Sequence, residues 1–261
     1  GSGQSTASNS TDSDDITQQT YKPGKLTIAT GQPAYEPWVM NDKPESGEGY
    51  EAAVAYAVAD KLGFKKSDVV WTRTAFDTAI APGAKDWDFN IQQFGITDER
   101  KKAVDFSSSY YNDSQSVVVK KDSKFANATK VSDLKDATVG VMVGTLAYDY
   151  AKANIKDDIQ TFNDDAALAQ ALDAGQIDVL VTSTVECVYM VQSEQVKDSK
   201  VLGRLPDSED KSGMGIVLPK DSKLTAAVTK AVDDLNADGT IKKLQDKWLA
   251  EYTTDLTELK K

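Results

Sequence analysis

Two residues in this 261-residue chain combine a type and a setting that suit holding an anion. Arg100 follows Thr97-Asp98, a natural N-cap pair, and so falls in the first turn of a short predicted helix. A guanidinium there presents a planar, two-pronged set of donors that matches a carboxylate. The competing reading is a solvated cation beside Lys101 and Lys102. Thr145 follows Gly144 at the predicted start of another helix, where free backbone N–H groups and the helix dipole favour negative charge. An ordinary N-cap threonine would need no ligand, and the two roles are compatible. The apparatus of most hydrolases and metalloenzymes is absent. The chain contains no His, which removes the commonest general base and metal ligand together. Its single Cys187 excludes an intrachain disulfide and any Cys-based zinc cluster. No cofactor and no metal site is expected, and no catalytic residue is nominated.

Charge narrows the partners. With 30 Lys+Arg against 41 Asp+Glu the formal net charge is −11. Phosphate binding needs a clustered excess of basic residues, so nucleic acid is not an expected partner, and anionic lipid would not attract the chain. The longest apolar run, Ala52–Ala59, falls far short of a bilayer span. Residues 1–20 hold nine Ser or Thr, two apolar residues and an acidic patch at Asp12, Asp14 and Asp15, a composition expected to form a disordered tether. The opening Gly-Ser-Gly reads as a cloning scar, with no signal peptide. Such a leader is also what remains when an exported protein loses its signal, so a secreted or surface-tethered origin is expected.

The elements that must position Arg100 and Thr145 follow an α/β rhythm. Strands are expected at Lys25–Thr30, Val69–Thr72 and Phe89–Phe94, with a helix over Tyr50–Leu62 closed by Gly63. The second half repeats the rhythm: strands at Thr138–Val143, Ile159–Phe162, Ile177–Thr182 and Val201–Leu205 alternate with helices after Thr145, after Asp164 and up to Gln192. Strands alternating with helices imply βαβ crossovers and mostly parallel sheets, with ligands beyond the strand C-termini. Leu224, Ala227, Val228, Ala231, Val232 and Leu235 form one apolar stripe at the helical period, read as core packing.

Three ordered stretches carry a resemblance. Thr27–Trp38 (TIATGQPAYEPW) is followed by Gly49-Tyr50-Glu51 at a helix start. Asp88–Tyr111 (DFNIQQFGITDERKKAVDFSSSYY) is the second. Val139–Thr145 (VGVMVGT), Gly175–Thr182 (GQIDVLVT) and the late Gly239-Thr240 to Lys247-Trp248 helix make the third. Together, over residues 25–252, the chain resembles the amino-acid-binding class of extracellular solute-binding proteins of ABC importers, family 3. The resemblance implies an α/β, two-lobed periplasmic-binding-protein-like fold of type II with two hinge strands, closing on its ligand like a clamshell. Lobe 1 would span 21–116 plus 214–261 and lobe 2 120–210, with crossings at 117–119 and 211–217.

The same resemblance implies a ligand site. Arg100 would clamp the α-carboxylate of a solute and Thr145 would add the second grip, with Leu146 standing where another hydroxyl is usual. Tyr35 and Phe76, with Trp38 in the same turn as Tyr35, would wall the ligand side chain. Gln93 and Gly95 would accept from its ammonium, the glycine through its carbonyl, and Gln32 would bond a polar side chain. One position departs from the pattern: Ser183 stands where an Asp usually pairs with the ammonium. An uncompensated ammonium in a closed cleft costs several kcal/mol. Glu186, one helical turn on, would replace that anion, or the ligand lacks a primary ammonium, or binding has been weakened or redesigned.

The implied function is a non-catalytic, monomeric, extracellular binding protein, a cell-surface lipoprotein or periplasmic, that hands a small carboxylate-bearing solute to an ABC permease in the membrane. The alternatives are an enzyme on the same scaffold, cyclohexadienyl dehydratase-like with Glu36 or Glu186 as its acid, and a ligand-sensing domain, engineered or cut from a receptor.

Overall fold

The computed structural model describes residues 15–254 and 256–261. In chain order the first elements are β1 (Leu26–Thr30), α1 (Tyr50–Lys61), β2 (Val69–Arg73), α2 (Phe76–Ala79), β3 (Phe89–Asn90), α3 (Asp98–Lys101) and β4 (Val104–Tyr111). There follow β5 (Gln115–Lys120), β6 (Val139–Met142), α4 (Leu146–Asn154), β7 (Gln160–Phe162), α5 (Asp165–Asp173), β8 (Val179–Ser183), α6 (Thr184–Gln192) and β9 (Ser199–Arg204). The chain closes with β10 (Met214–Pro219), α7 (Thr225–Ala237), α8 (Thr240–Trp248) and α9 (Ala250–Thr253).

These elements separate into two compact units. One comprises the described residues up to Tyr111 with Ser212–Leu249; the other comprises Asn112–Lys211 with Ala250–Lys261. The chain therefore passes between units three times. The expected crossing at 117–119 is corrected: Val117, Val118 and Val119 are fully buried in the middle of β5, paired on both sides within the second unit. The expected crossing at 211–217 contains the observed return at Lys211/Ser212, although Met214–Val217 itself lies inside β10 of the first unit. The final segment, expected in lobe 1, belongs to the second unit. Leu259 fills that unit's core, and residues 258 and 260 bridge to Arg204 and Lys130.

The first unit is built on a sheet of order β2-β1-β3-β10-β4. β1 runs parallel to β2 and β3, and its five residues are all buried, as suits a strand covered on both faces. β10 runs antiparallel to β3 and β4. The α7 stripe packs inward, with Val228, Ala231, Val232 and Leu235 buried. The second unit has a sheet of order β7-β6-β8-β5-β9, with β6 parallel to β7 and β8, and β5 antiparallel to β8 and β9. The expectation of mostly parallel sheets thus holds only for the βαβ parts. The strands β4, β5 and β10 return antiparallel and carry no flanking helical rhythm.

The leader expectation divides. Residues 1–14 lie outside the described residues. Residues 15–20, expected to be disordered, instead form a 3-10 turn over Ile16–Gln18 capped by the Asp15 carboxylate. Asp88, almost fully buried, accepts from the N–H groups of Tyr21 and Thr27 at 2.7 Å each, latching this turn beside β1. Among the described residues no helix is long and apolar enough to cross a membrane.

Candidate functional site

In the first unit the chemistry gathers between the end of β3 and the start of α3. The expected strand Phe89–Phe94 stops at Asn90, because Gln93 adopts φ +53° and turns the chain. Thr97 caps α3 by accepting from the Arg100 N–H at 3.1 Å. The cap aims the Arg100 side chain back over the turn it follows. Its Nη1 donates to the Gly95 carbonyl at 2.7 Å, and its guanidinium lies 5.4 Å from the centre of the Phe76 ring. Phe76 in turn stacks on the buried Phe94 at 4.6 Å. The guanidinium is half-buried, and burial lowers its pKa, yet an arginine stays protonated at physiological pH. Among the described residues no Asp or Glu pairs with it. A desolvated cation resting on an aromatic face, without a counter-charge, is primed for an anionic ligand.

Gly95 contributes its carbonyl to that arrangement. A Cβ there would sit 3.4 Å from Arg100 Nη1, an ordinary van der Waals contact. Gly95→Ala is therefore expected to leave thermal stability within about 1 kcal/mol and the guanidinium in place. Affinity for a carboxylate-bearing solute should stay within about threefold in isothermal titration. A loss of about tenfold or more would count against this geometry.

The other first-unit candidates are placed differently. Tyr35 is 51% exposed, and Gln32 is also exposed. Trp38 is only 5% exposed, with its ring edge-on to Tyr111 at 5.8 Å and tilted against Tyr50 at 6.2 Å. Its expected role as a ligand wall is corrected to core packing, because that cluster already occupies its faces. The Gln93 expectation concerns its oxygens as acceptors, whereas the bonds the structure shows use its N–H donors. Its Nε2 donates to the buried Glu51 carboxylate, and its backbone N–H does the same at 2.8 Å. The neighbouring Gln92 was not singled out from the sequence. Its Oε1 is buried without a hydrogen-bond partner among the described residues, a costly state that a ligand donor would relieve.

In the second unit Thr145 is the N-cap of α4. Its hydroxyl donates to the Met142 carbonyl at 2.7 Å and accepts from the Tyr148 N–H at 3.2 Å. The hydroxyl is engaged in capping, so what this helix start offers an anion is its first backbone N–H groups. Gly144, at φ +73°, makes the turn into the helix, and the exposed Val143 and Leu146 flank it.

Ser183 ends β8 and stands at the N-cap of α6 without making a capping bond. Glu186 lies in the first turn of the same helix. Burial, then the nearby carboxylates of Asp165 and Asp113, push its carboxyl up to about 8. Asp165, in the first turn of α5, accepts from the Thr182 hydroxyl at 3.4 Å and is itself raised by burial. It was missed in the sequence because Asp164 beside it takes the evident capping role, accepting from the Ala167 N–H. Among the described residues no group of three or more His, Cys, Asp and Glu could hold a metal ion.

Comparison with known proteins places this geometry. The family model for bacterial extracellular solute-binding proteins, family 3, matches residues 26–251, and the chain belongs to that family. The L-cystine-binding protein TcyJ of Escherichia coli (strain K12) is 29% identical over 223 residues, covering 84% of this chain and 81% of that one. Among solved structures, an ancestral arginine-binding protein bound to arginine is 31% identical with a TM-score of 0.64, covering 86% of this chain and 98% of that chain. The ancestral amino acid-binding protein AncCDT-1, described as a precursor of cyclohexadienyl dehydratase, is 30% identical with a TM-score of 0.62, covering 86% and 95%. The fold is the type II fold of these amino-acid-binding proteins, with its two α/β units.

Proposed function

We propose that this chain is the extracellular solute-binding component of an ABC importer and that it binds an amino acid or a closely related carboxylate. One observation carries the reading: the half-buried Arg100 guanidinium, seated on Phe76 and held by the Gly95 carbonyl, has no acidic partner among the described residues. A solute carboxylate supplies that partner. The start of α4 at Thr145 offers the second grip, and ligand-driven closure of the two units is the expected consequence, since contacts from both would favour the closed state. Glu186 and Asp165 supply negative charge for the solute's ammonium, in place of the acid missing at Ser183. Arginine and cystine lead the candidate ligands, because similar proteins bind them. The protein acts outside the cytoplasm as a monomer, anchored as a lipoprotein or free in a periplasm, and delivers its cargo to a membrane permease.

A thermal-shift screen of amino acids and small carboxylates, L-arginine and L-cystine included, tests this. A concentration-dependent rise in melting temperature is expected, about 2.7 kcal/mol of added stability at one hundred times Kd. If no carboxylate-bearing compound shifts the transition, the reading fails. Glu186 held protonated at neutral pH is the group that a dehydratase would use as acid. Following the solute by NMR over hours separates the alternatives: binding leaves it intact, whereas turnover would consume it.

A further inference from the structure

The carboxylate that organises the Arg100 half-site sits in the core. Glu51, in the first turn of α1, is 0% exposed. Among the described residues it has no cationic partner. Its oxygens accept instead from three donors: the Gln93 backbone N–H at 2.8 Å, the Gln93 side-chain Nε2 and the Tyr110 hydroxyl. Tyr110 lies on β4 and Gln93 just beyond β3, so one side chain ties α1 to two separate stretches of the same unit. The Tyr50 hydroxyl completes the surroundings by donating to the Tyr110 carbonyl and accepting from Gln245 of α8 at 3.4 Å.

The residue held is the one that bends. Gln93 has φ +53°, a region that non-glycine residues occupy only when their surroundings compel it. Two bonds to one buried acceptor provide that compulsion. The next residues are Phe94, on which Phe76 stacks, and Gly95, whose carbonyl receives Arg100. Fixing Gln93 therefore fixes both supports of the guanidinium.

We propose that Glu51 is the positioning residue of the anion clamp: by gripping both N–H donors of Gln93 it holds the bend that places Phe94 and Gly95 under Arg100. It does not touch the solute. The inference rests on the reading of Arg100 as the carboxylate clamp for its effect on affinity, but not for its effect on the backbone. Glu51→Gln keeps the size of the side chain yet puts an NH2 donor in place of one oxygen, so it cannot accept from the Gln93 side chain at one atom and from the Gln93 N–H and Tyr110 hydroxyl at the other, as the carboxylate does. Tyr110→Phe removes the third donor and leaves both Gln93 bonds in place.

Amide hydrogen exchange of the full chain at about pH 8, above the value of about 7 to which burial pushes Glu51, so that the side chain is a carboxylate, tests this at the level of peptides. In Glu51→Gln, exchange over residues 91–100 should accelerate at least about tenfold, roughly 1.4 kcal/mol of lost local protection. Exchange in β2 and α7 of the same unit should stay near wild type. Tyr110→Phe should leave 91–100 near wild type. An equal acceleration throughout the first unit, or the same local effect from Tyr110→Phe, would make Glu51 a general core residue and overturn the proposal. So would wild-type exchange in Glu51→Gln. Titration with L-arginine and L-cystine is the second arm, with weaker binding expected in Glu51→Gln. If Arg100→Ala leaves the affinity of a bound probe unchanged while Glu51→Gln still loosens 91–100, the clamp reading has failed and the positioning role stands. If Arg100→Ala abolishes binding while Glu51→Gln alters neither affinity nor exchange, the reverse holds.

Discussion

Arg100→Ala is expected to weaken solute binding by about 10²- to 10³-fold while the protein stays folded. The size follows from what is removed: a charge-assisted, two-pronged contact in a partly desolvated setting, whose loss also strands the solute carboxylate. Such a loss corresponds to about 3–4 kcal/mol, within the range for truncating one partner of a partly buried charge pair. The fold loses little. Arg100 makes one side-chain hydrogen bond, to Gly95, and one face contact, with Phe76, and neither Phe94 nor the cap at Thr97 depends on its guanidinium. A change in stability within about 1 kcal/mol is expected. Arg100→Lys should recover only part of the affinity, because an ammonium keeps the charge but not the planar fork. Calorimetric titration with the best ligand of the thermal-shift screen measures all three proteins. An alanine variant that binds within threefold of wild type would remove Arg100 from the site.

The second large effect concerns pH. Glu186 is half-buried beside Asp165 and Asp113, and its carboxyl is pushed from the ordinary 4.5 up to about 8; the fully buried Glu51 is pushed up to about 7. Below about pH 4.5 both are protonated whether the chain is folded or not. Above it the unfolded chain gives up these protons while the folded chain keeps them, so stability falls as pH rises, until about 7 for Glu51 and about 8 for Glu186, and is level beyond. Each pH unit of displacement is worth about 1.4 kcal/mol. Glu51 accounts for about 3 kcal/mol between pH 5 and 7, and screening at the partly open Glu186 site reduces its share to about 2–3 kcal/mol, so about 5–6 kcal/mol is lost between pH 5 and 8. Asp42, Asp133 and Asp173 are held below the ordinary value, chiefly by hydrogen bonds, and act oppositely, withdrawing stability only in more acid solution. Stability should therefore peak near pH 5. Glu186→Gln should match wild type there and exceed it by about 2–3 kcal/mol at pH 8. Urea denaturation at the two pH values reads the difference, and parallel pH dependence in the two proteins would refute it.

The two effects meet at the solute. An ammonium placed near Glu186 would favour its ionised form, so binding should expel a proton. Calorimetry in buffers of different ionisation enthalpy detects that release directly.

How far the sequence carried this description depended on whether the signal was local. The helix start at Thr145, the cap at Thr97 and the apolar stripe of α7 rest on spacing within a few residues, and the structure shows each. The arginine in the first turn of α3 was legible for the same reason. What escaped was set by contacts distant in sequence. Glu51 and Gln93 are 42 residues apart, and nothing within either segment says that the glutamine's N–H donors are held by a core carboxylate. Trp38 looked like a wall because it shares a turn with Tyr35, but Tyr50 and Tyr111 claim its ring. The first hinge position slipped for a related reason. A run such as Val117–Val119 reads equally as a connection or as a strand buried on both sides, and only its partners in β8 and β9 decide.

The threefold passage of the backbone between units bears on how the gene could be dissected. The stretch encoding 112–211 looks like a self-contained module, yet it omits the closing segment on which that module relies. Leu259 lies in its core, the Arg204 N–H donates to the Thr257 carbonyl, and the Leu259 N–H donates to the Arg204 carbonyl. A clone stopping at Lys211 would open a cavity over Gly203, where Thr257 and Leu259 pack in the intact chain. A soluble minimal version of this unit would have to carry 250–261 spliced back on through a linker, making it a rearranged gene rather than a truncated one.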